Sequence, residues 1–438
     1  MNSKLPFSEI AEVVMGQSPT KENVNSESNG FPLLNGPTEF TARYPNPVQF
    51  TTAGKKFSQP DDILFCVRGS TTGRMNYSDQ KYAIGRGIAA IRGKNGYPTP
   101  YVRAVIEQNL ERLLAAATGS TFPNVGRDLL LNFEVEVTSP ERATLANDLI
   151  VSLEDKIESN RQTNQTLEQI AQAIFKSWFV DFEPVKAKIE ALSAGGSADD
   201  TELAAMSVIS AKTLDELNSL KARNPRAFNK LAQTAALFPA AMQESEFGEI
   251  PEGWSYCTFG DISVCFDSKR VPLSKRKREE KQPGTIPYYG ATSVMDYVNE
   301  WIFDDTYLLL GEDGSVVKDD GTPFVQYIWG KSWVNNHAHV LQGNNGVSTE
   351  HLMVFIKGAN ITSYVTGAVQ LKLNQKNMNS IPFLKASTEI NLVFQGVLNG
   401  LYDAYKNNIE CSQSLSSLRD SLLPRLLSGE MELKDKEW

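Results

Sequence analysis

The chain has 438 residues, of which 41% are hydrophobic and 22% charged, and its formal net charge at pH 7 is −9. This length suits two or three domains that each bury an apolar core. The chain has no apolar run long enough for a membrane span and no secretion signal, which argues against a membrane or exported protein and predicts a cytoplasmic one. Its four cysteines show no CxxC spacing, which argues against a zinc site and predicts buried free thiols.

The acidic charge is distributed unevenly. Residues 1–138 carry 14 basic and 13 acidic side chains, and residues 251–386 carry 13 and 14, so both segments are almost neutral. The excess of carboxylates lies in the remaining segments. Because a neutral domain can still present one basic face, the net charge does not exclude a nucleic-acid partner.

Residues 1–138 are predicted to form a strand-rich globular domain. Short runs of Val, Ile, Phe and Tyr are interrupted by Gly, Pro and Asn, which indicates strands and turns. The stretch from Pro98 to Thr118 predicts a short helix.

Residues 139–183 are predicted to form a long helix. Ser139, Pro140 and Glu141 supply an N-cap, a proline at the first helical position and an acid in the first turn. Steps of four and three residues place one stripe of a coiled coil at Leu153, Ile157, Asn160, Asn164, Leu167, Ala171, Ile174 and Trp178. The stripe is apolar at both ends and polar in the middle.

Residues 184–250 are predicted to be a linker. It contains "SAGGSADD", which is typical of a flexible connection, and helical pieces between Thr213 and Phe238.

The rest of the chain repeats the first part. Residues 251–386 are again rich in predicted strands, and residues 387–438 are predicted to form a second long helix and a tail, with Gly429 as its stop signal. The order of similar segments is the same in both halves: "FPLLNG" corresponds to "IPYYG", and Gly69-Ser70 corresponds to Gly314-Ser315. From Ala117 onward the offset stays constant, and the second helical stripe becomes Leu401, Tyr405, Asn408, Ser412, Leu415, Arg419, Leu422 and Leu426. This shared order predicts a duplication.

No catalytic, cofactor or metal constellation is recognisable. "WGKS" at Trp329 lacks the glycine that a phosphate loop needs, because Val325 occupies its place. His337 and His339 alternate along a predicted strand and so point to opposite faces. These histidines and His351 are interpreted as structural, and the sequence predicts a protein without a catalytic site.

Several polar segments are typical of DNA contacts, although a solvated surface remains the alternative for each. The basic stretch from Lys269 suits a loop that contacts phosphates, and the arginines among Ser, Thr and Gly in the first repeat suit guanine. The first repeat offers Arg68, Ser70, Thr72, Arg74 and Arg86. The second offers Lys269, Arg270, Lys275, Arg276, Lys277, Arg278, Tyr288, Tyr289, Lys318, Lys331, Asn335, Asn336 and His337.

With these motifs in place, the chain resembles the specificity (S) subunits of type I restriction-modification systems. The resemblance covers nearly all residues. It depends on the repeated layout of domain and helix and on the motifs "AIFKSWFVDFEPVKAK", "TAALFP", "GEIPEGW", "PYYGAT", "WVNNHAHVL" and "LLPRLLSGEMEL". One departure is that the first repeat lacks the "IPEGW" lead-in.

The resemblance implies an α+β fold with a pseudo-twofold internal repeat. Two target recognition domains would be held apart by two long antiparallel coiled-coil helices, and each domain would read one half of a bipartite double-stranded DNA site. Two methyltransferase (M) subunits would dock on the helices and supply S-adenosylmethionine, and restriction (R) subunits would join that core and use ATP and Mg²⁺. The chain itself would hold no cofactor and catalyse nothing.

Two alternatives stay open from the sequence. One is the related B-type specificity subunit of a system in which a single other polypeptide carries both methylation and cleavage. The other is a helical adaptor whose end domains bind proteins rather than DNA.

Overall fold

The structure, a computed structural model, describes residues 3–119, 122–367, 370–428 and 430–431. The chain divides into two compact units. Unit 1 comprises residues 1–163 and 407–438, and unit 2 comprises residues 164–406. Among the described residues, none of the helices combines the length and apolar character needed to cross a membrane. The division into five segments that the sequence suggests stays a prediction.

Unit 1 is built from short strands and short helices around one end of the long helices. Its strands are β1 (Ser3–Pro6), β2 (Ala11–Met15), β3 (Val24–Asn25), β4 (Phe31–Leu34), β5 (Phe50–Thr51), β6 (Ile63–Cys66), β7 (Met75–Tyr77), β8 (Ala83–Ile84), β9 (Ile88–Gly93) and β10 (Glu134–Val137). Its helices are α1 (Phe7–Ile10), α2 (Thr99–Gln108), α3 (Leu110–Ala115), α4 (Arg127–Asn132) and the first part of α5 (Pro140–Phe175).

Unit 2 contains four helices from the linker and a second strand-rich body. Its helices are α6 (Glu183–Ser193), α7 (Ala198–Ser210), α8 (Leu214–Arg223), α9 (Pro225–Ala236), α10 (Lys275–Glu279), α11 (Thr349–Gly358), α12 (Gln375–Asn379) and the first part of α13 (Thr388–Leu427). Its strands are β11 (Met242–Gln243), β12 (Ile250–Pro251), β13 (Ser255–Thr258), β14 (Ser263–Cys265), β15 (Ile286–Tyr289), β16 (Val294–Val298), β17 (Phe303–Asp304), β18 (Tyr307–Gly311), β19 (Val325–Ile328), β20 (Lys331–Val334), β21 (Ala338–Gly343) and β22 (Pro382–Lys385).

The two strand-rich bodies share one topology. Each has an antiparallel four-stranded sheet, in the order β2-β9-β6-β7 in unit 1 and β14-β21-β18-β19 in unit 2. Each also has a parallel pair in a second sheet, β4 with β8 and β15 with β20. The first strand of each body pairs with the last, β1 with β10 and β13 with β22, so the first repeat has its opening strand without the "IPEGW" lead-in. The predicted α+β fold and duplication are confirmed.

One turn shows how closely the repeats agree. Asn95-Gly96 and Asn345-Gly346 all have positive φ angles, between 51° and 86°, which suits Asn-Gly. The side-chain amide of Asn95 donates to the backbone oxygen of Glu9 at 2.8 Å, and that of Asn345 donates to the equivalent oxygen of Asp261 at 2.6 Å. The same side chain thus ties the same turn to the same helical segment in both units.

Both long helices begin where the sequence predicts. The hydroxyl of Ser139 accepts from the backbone nitrogen of Arg142 at 3.5 Å, and that of Ser387 accepts from Ile390 at 3.3 Å, as N-caps do. The proposed stop at Gly429 lies outside the described residues, and α13 ends at Leu427.

The first long helix ends earlier than residue 183. The α-helix gives way after Phe175 to a π-helical turn, Lys176–Val180. Phe182 then adopts a left-handed conformation (φ 55°), and Pro184 occupies the start of α6, where its missing N–H is tolerated. The irregular turn lets Trp178 and Phe179 both face the core of unit 2.

The two long helices run antiparallel. In unit 1, Ile150 of α5 shares a buried cluster with Leu423 and Leu426 from the end of α13. In unit 2, Trp178 just after α5 faces Phe394 near the start of α13, with ring centroids 5.7 Å apart. Positions later in α5 therefore meet positions earlier in α13.

The linker is packed and not flexible, which corrects the interpretation of "SAGGSADD". Ser197 and Asp200 form a capping box that starts α7, and Thr213 and Glu216 form another that starts α8. Ala205, Met206, Leu217 and Ala235 bury one another in a small separate core. The Ser-x-x-Asp and Thr-x-x-Glu spacings carried this signal in the sequence.

His351 lies in the core of unit 2. It is fully buried among Phe175, Phe179, Phe383 and Phe394, with ring centroids 4.8–5.9 Å from its own. Neither ring nitrogen has a hydrogen-bond partner among the described residues. Burial lowers the pKa of His351 to about 3, so the ring is neutral at pH 7.

The cysteines are free, but they are not uniformly buried. Cys66 is buried, Cys257 and Cys265 are partly buried, and Cys411 is exposed on α13. The expectation of four buried thiols is wrong for Cys411, because this part of α13 has a solvent-facing side.

Candidate nucleic-acid interface

Three arginines of unit 1 lie on adjacent backbone segments. The backbone nitrogen of Val67 donates to the oxygen of Gly87 at 2.9 Å, and that of Cys66 donates to Arg74 at 2.9 Å. These bonds place Arg68, Arg74 and Arg86 on neighbouring backbone segments, and all three side chains are exposed. None of the three forms an ion pair within the described part of the chain. We call these residues the arginine surface.

A polar network supports Arg86 from below. The hydroxyl of Ser18 accepts from the backbone nitrogen of Arg86 at 3.1 Å and donates to the side-chain oxygen of Asn35 at 3.0 Å. The amide of Asn35 donates to Gln49 at 3.2 Å. The sequence interpretation missed Ser18, Asn35 and Gln49, because residues that are distant in the chain meet here through the parallel β4–β8 pair.

The turn around Arg86 needs glycine on both sides. A Cβ atom on Gly85 would lie 2.2 Å from the side-chain oxygen of Asn35, and one on Gly87 would lie 2.3 Å from its backbone oxygen. The narrow turn presents Arg86 as its one long side chain.

The two remaining polar candidates of the first repeat differ. Ser70 is exposed beside Arg68. The hydroxyl of Thr72 lies 2.8 Å from the backbone oxygen of Gly69 and 2.9 Å from that of Pro123. Thr72 therefore closes its own loop, which corrects its assignment as a DNA contact.

Unit 2 has an equivalent site with different side chains. Glu312 donates from its backbone nitrogen to the oxygen of His337 at 2.9 Å, as Val67 does to Gly87. Asp313 bridges to Lys372 as Arg68 bridges to Asn124. Asp313, Asn336 and His337 therefore replace Arg68, Arg86 and Gly87. Asn336 is exposed, and Nδ1 of His337 is hydrogen-bonded to the carboxylate of Asp313.

Asn335 and Tyr288, also candidates from the sequence, are turned inward. The backbone nitrogen of Asn335 donates to Tyr289 at 3.1 Å, and its side-chain oxygen accepts from the nitrogen of His337 at 2.8 Å. The hydroxyl of Tyr288 accepts from the backbone nitrogen of Leu273 at 2.9 Å. Both side chains shape the site without reaching its surface.

Arg270 belongs to a buried ion network, which corrects its assignment to DNA. Its guanidinium lies 2.7 Å from Glu312 and 3.2 Å from Asp267, and it donates to the backbone oxygen of Ala338 at 2.6 Å. The side chain is only 11% exposed. A phosphate could replace these partners only by taking the guanidinium away from two largely buried carboxylates.

His339 completes that network. Its ring is 1% exposed, with Nδ1 2.5 Å from the Asp267 carboxylate and Nε2 2.7 Å from the backbone oxygen of Leu373. Both neighbours offer oxygen acceptors to the ring, so His339 is held from both sides. Burial acts to raise the pKa of Asp267. The hydrogen bond and charge of His339, together with the charge of Arg270, outweigh burial, so the pKa of Asp267 is lowered.

Cys265 lies beside this network. Its sulfur, an oxygen of Asp267 and a nitrogen of His339 lie within 4.8 Å of one another, a spacing that a metal ion could use. Burial raises the pKa of Cys265 to about 12, which opposes the thiolate that a metal prefers. The Arg270 guanidinium already supplies the positive charge that these carboxylates need.

The basic stretch is non-helical from Arg270 to Ser274 and contains a short helix, α10, at Lys275–Glu279. Ser274 caps α10, and Lys275 and Arg276 are each 84% exposed, with Glu279 and Glu280 as neighbours one turn away. Lys277 is exposed as well. Arg278 instead pairs with Asp296 at 2.9 Å, donates to the oxygen of Leu273 and is 15% exposed. The assignment of Arg278 to DNA is therefore corrected.

The three remaining candidate lysines of unit 2 are exposed and lie over aromatic rings. The ammonium of Lys331 is 3.7 Å from the ring centroid of Trp301, that of Lys269 is 4.9 Å from Phe266, and that of Lys318 is 5.9 Å from Phe324. Tyr289 is half-buried, and burial raises its pKa. The three lysines remain available for a solvent-side partner.

The predicted stripe of the helix pair falls on inward-facing positions. Six positions are buried: Leu153, Asn160, Asn164, Ala171, Trp178 and Leu426. The other ten are half-buried: Ile157, Leu167, Ile174, Leu401, Tyr405, Asn408, Ser412, Leu415, Arg419 and Leu422. The amide of Asn160 lies 3.4 Å from the backbone oxygen of Asn408 and 3.2 Å from the Ser412 hydroxyl. The amide of Asn164 donates to the oxygen of Tyr405 at 3.1 Å.

Comparison with known proteins places these sites in context. Residues 251–384 match the family model described as "Type I restriction modification DNA specificity domain". The type I restriction enzyme HindI specificity subunit of Haemophilus influenzae is 29% identical over 86% of this chain and 88% of its own length. The MjaIX specificity subunit of Methanocaldococcus jannaschii is 21% identical over 86% of this chain and 79% of its own. A crystal structure of a type I S subunit from M. genitalium shares the fold, with a TM-score of 0.50 and 16% identity over 99% of this chain and 97% of that one.

Proposed function

The chain belongs to the specificity subunits of type I restriction-modification systems, and from that premise we propose that it reads a bipartite DNA sequence, one half with each unit. The observation that supports this proposal most directly is the arginine surface. Arg68, Arg74 and Arg86 are exposed, adjacent in the fold and free of carboxylate partners among the described residues. Guanidinium groups so arranged suit both phosphate oxygens and the guanine edge in the major groove.

The equivalent position in unit 2 supports two half-sites of different sequence. The topology is shared, but Asp313, Asn336 and His337 stand where unit 1 has Arg68, Arg86 and Gly87. Different donors and acceptors at one position of a common frame select different base pairs. The exposed Lys275, Arg276 and Lys277 would add phosphate contacts without sequence preference.

We propose that catalysis resides in partner subunits. Two methyltransferase subunits would dock on the helix pair and bring S-adenosylmethionine to adenine, and restriction subunits would join that core and bring ATP and Mg²⁺. This chain would act in the cytoplasm and contribute recognition alone. The repeated helix supports two similar docking faces, because each copy presents related residues.

The test is long-read mapping of N6-methyladenine in cells that express this chain together with the methyltransferase gene beside it. Matched cells lack only this chain. The expected result is a split motif that disappears with the chain. An unchanged methylome, in cells whose methyltransferase is active with another specificity subunit, would contradict the proposal. A neighbouring gene that encodes both methylation and cleavage would indicate the B-type system.

A further inference from the structure

The Asp313–His337 pair is a defined hydrogen-bonding unit on the surface of unit 2. The imidazole of His337 is 46% exposed, whereas the carboxylate of Asp313 is 19% exposed and directed at Nδ1. His337 lies in the turn before β21, and the backbone nitrogen of Glu312, next to Asp313, donates to its oxygen at 2.9 Å. The ring is therefore held from two sides, by its backbone and by its Nδ1 partner.

The carboxylate determines which ring nitrogen carries the proton. An ionised Asp313 can only accept, so Nδ1 of His337 must donate. In the neutral ring, Nε2 then has no hydrogen and acts as an acceptor. None of the described residues contacts Nε2. With the ring in this neutral form, the site presents a single oriented acceptor toward solvent.

Unit 1 presents the opposite chemistry at the equivalent place. Arg68 and Arg86 offer only donors, and no carboxylate lies against them among the described residues. Donors match guanine, which presents O6 and N7 acceptors in the major groove, while an acceptor matches the amino groups of adenine N6 and cytosine N4. The exchange of Arg68 for Asp313 therefore changes the class of base that fits.

We propose that His337 reads a base bearing an exocyclic amino group, adenine or cytosine, in the half-site of unit 2, and that Asp313 is a positioning residue that holds Nε2 in its acceptor form. This rests on the proposed DNA-reading function. Lys372 forms a β-bridge with Asp313, and the exposed Lys318 follows Asp313 in the same loop, so this segment also carries cations that can meet phosphates.

The test uses the full chain assembled with the methyltransferase subunits encoded beside it. The complex selects from a pool of DNA duplexes with randomised positions at fixed salt, and the bound fraction is sequenced. The variants are Asp313→Asn, which lets either tautomer form, and His337→Phe, which has no ring nitrogen. Asp319→Asn, an exposed change of equal charge in the same loop, is the control.

The wild-type complex is expected to select adenine or cytosine at one position of one half-site. In both variants the enrichment of adenine or cytosine at that position alone should fall about fivefold or more. The motif of the other half-site should be retained, which shows that the variants are folded. Asp319→Asn should leave the selected motif unchanged. The proposal would be overturned if the wild type prefers guanine or thymine at the position that the variants change. It would also be overturned if the variants select the same motif as the wild type. A wild-type complex that selects no sequence would overturn the DNA-reading function as well.

Discussion

Asn160 donates its side-chain amide to the backbone oxygen of Asn408, a residue 248 positions later and its own equivalent in the duplicated sequence. A residue that meets its repeat equivalent in an antiparallel pair lies at the local twofold axis of that pair. The same amide reaches Ser412, the equivalent of Asn164. Polar groups at such a crossing specify register, because any slip leaves them buried without partners.

We expect Asn160→Asp to destabilise the helix pair strongly. The new carboxylate would face the Asn408 oxygen and lose the donor that now satisfies it, and a buried unpaired charge costs about 3–5 kcal/mol. Denaturant unfolding of the full chain measures the loss. Gln165→Asp, at an exposed position on the same helix, should cost less than about 1 kcal/mol. Equal effects of the two changes would contradict the buried polar seam.

Arg86→Ala is expected to lower affinity for the preferred DNA about 5- to 150-fold, which corresponds to about 1–3 kcal/mol. Arg86→Lys keeps the charge but not the bidentate fork, so it should retain non-specific binding and lose discrimination at one base pair. Fluorescence anisotropy of the assembled complex on matched and mismatched duplexes distinguishes the two. If Arg86→Lys discriminates like the wild type, Arg86 contacts phosphate only.

The combined change of Lys275, Arg276 and Lys277 to alanine should weaken binding to all sequences alike. The slope of log affinity against log salt should become shallower by about 0.9 for each phosphate that is no longer neutralised. Arg278→Ala is the informative contrast, because Arg278 pairs with Asp296 and should affect the stability of unit 2 more than DNA binding. A salt titration and a melting curve for each variant settle the assignment, and an unchanged slope in the triple variant would show α10 to be solvated surface.

His351 makes unit 2 sensitive to moderate acid. The unfolded chain binds a proton there near the ordinary pKa of 6.5, whereas the folded protein resists protonation until about 3. The folded state therefore loses stability as pH falls through that window and has its full stability above it. His351→Leu should raise the melting temperature. Between about pH 7.5 and about pH 5, the melting temperature of this variant should fall less than that of the wild type. An equal loss of melting temperature with falling pH in His351→Leu and in the wild type would contradict this role of the buried ring.

Arg270→Met should cost unit 2 about 3–5 kcal/mol near neutral pH, because Asp267 and Glu312 would lose a buried partner. The lowered pKa of Asp267 means that its contribution is present above its ordinary value of 3.8 and is lost as pH falls through the folded value. The cost of the substitution should therefore shrink in strong acid. Chemical unfolding at several pH values measures it, with the exposed Lys269→Met as control, and a cost independent of pH would contradict the ion network.

The sequence predicted the features that depend on local pattern. The starts of both long helices followed from Ser-Pro-Glu and Ser-Thr-Glu, and the inward positions of Leu153 and Asn160 followed from the alternating spacing. It could not separate Arg270 from Arg276, because Arg270 is drawn into the core partly by Glu312, which approaches from a distant part of the chain. The correspondence of Gly69-Ser70 with Gly314-Ser315 placed Asp313 at the position of Arg68, but its contact with His337 became evident only from the structure.

The two units carry a comparable asparagine side chain after different strands of the shared fold. In unit 1 it is the side chain of Asn35 after β4, opposite Gly85, and in unit 2 it is the side chain of Asn335 after β20, opposite Gly290. Gly85→Asn alone would place a Cβ 2.2 Å from the Asn35 oxygen, so Asn35 must become glycine first. That first step removes the hydrogen bonds to Ser18 and Gln49 before any replacement exists. The two turns are thus alternative pairings of one amide with one glycine, and exchanging a single member of either pair is expected to be less favourable than exchanging both together.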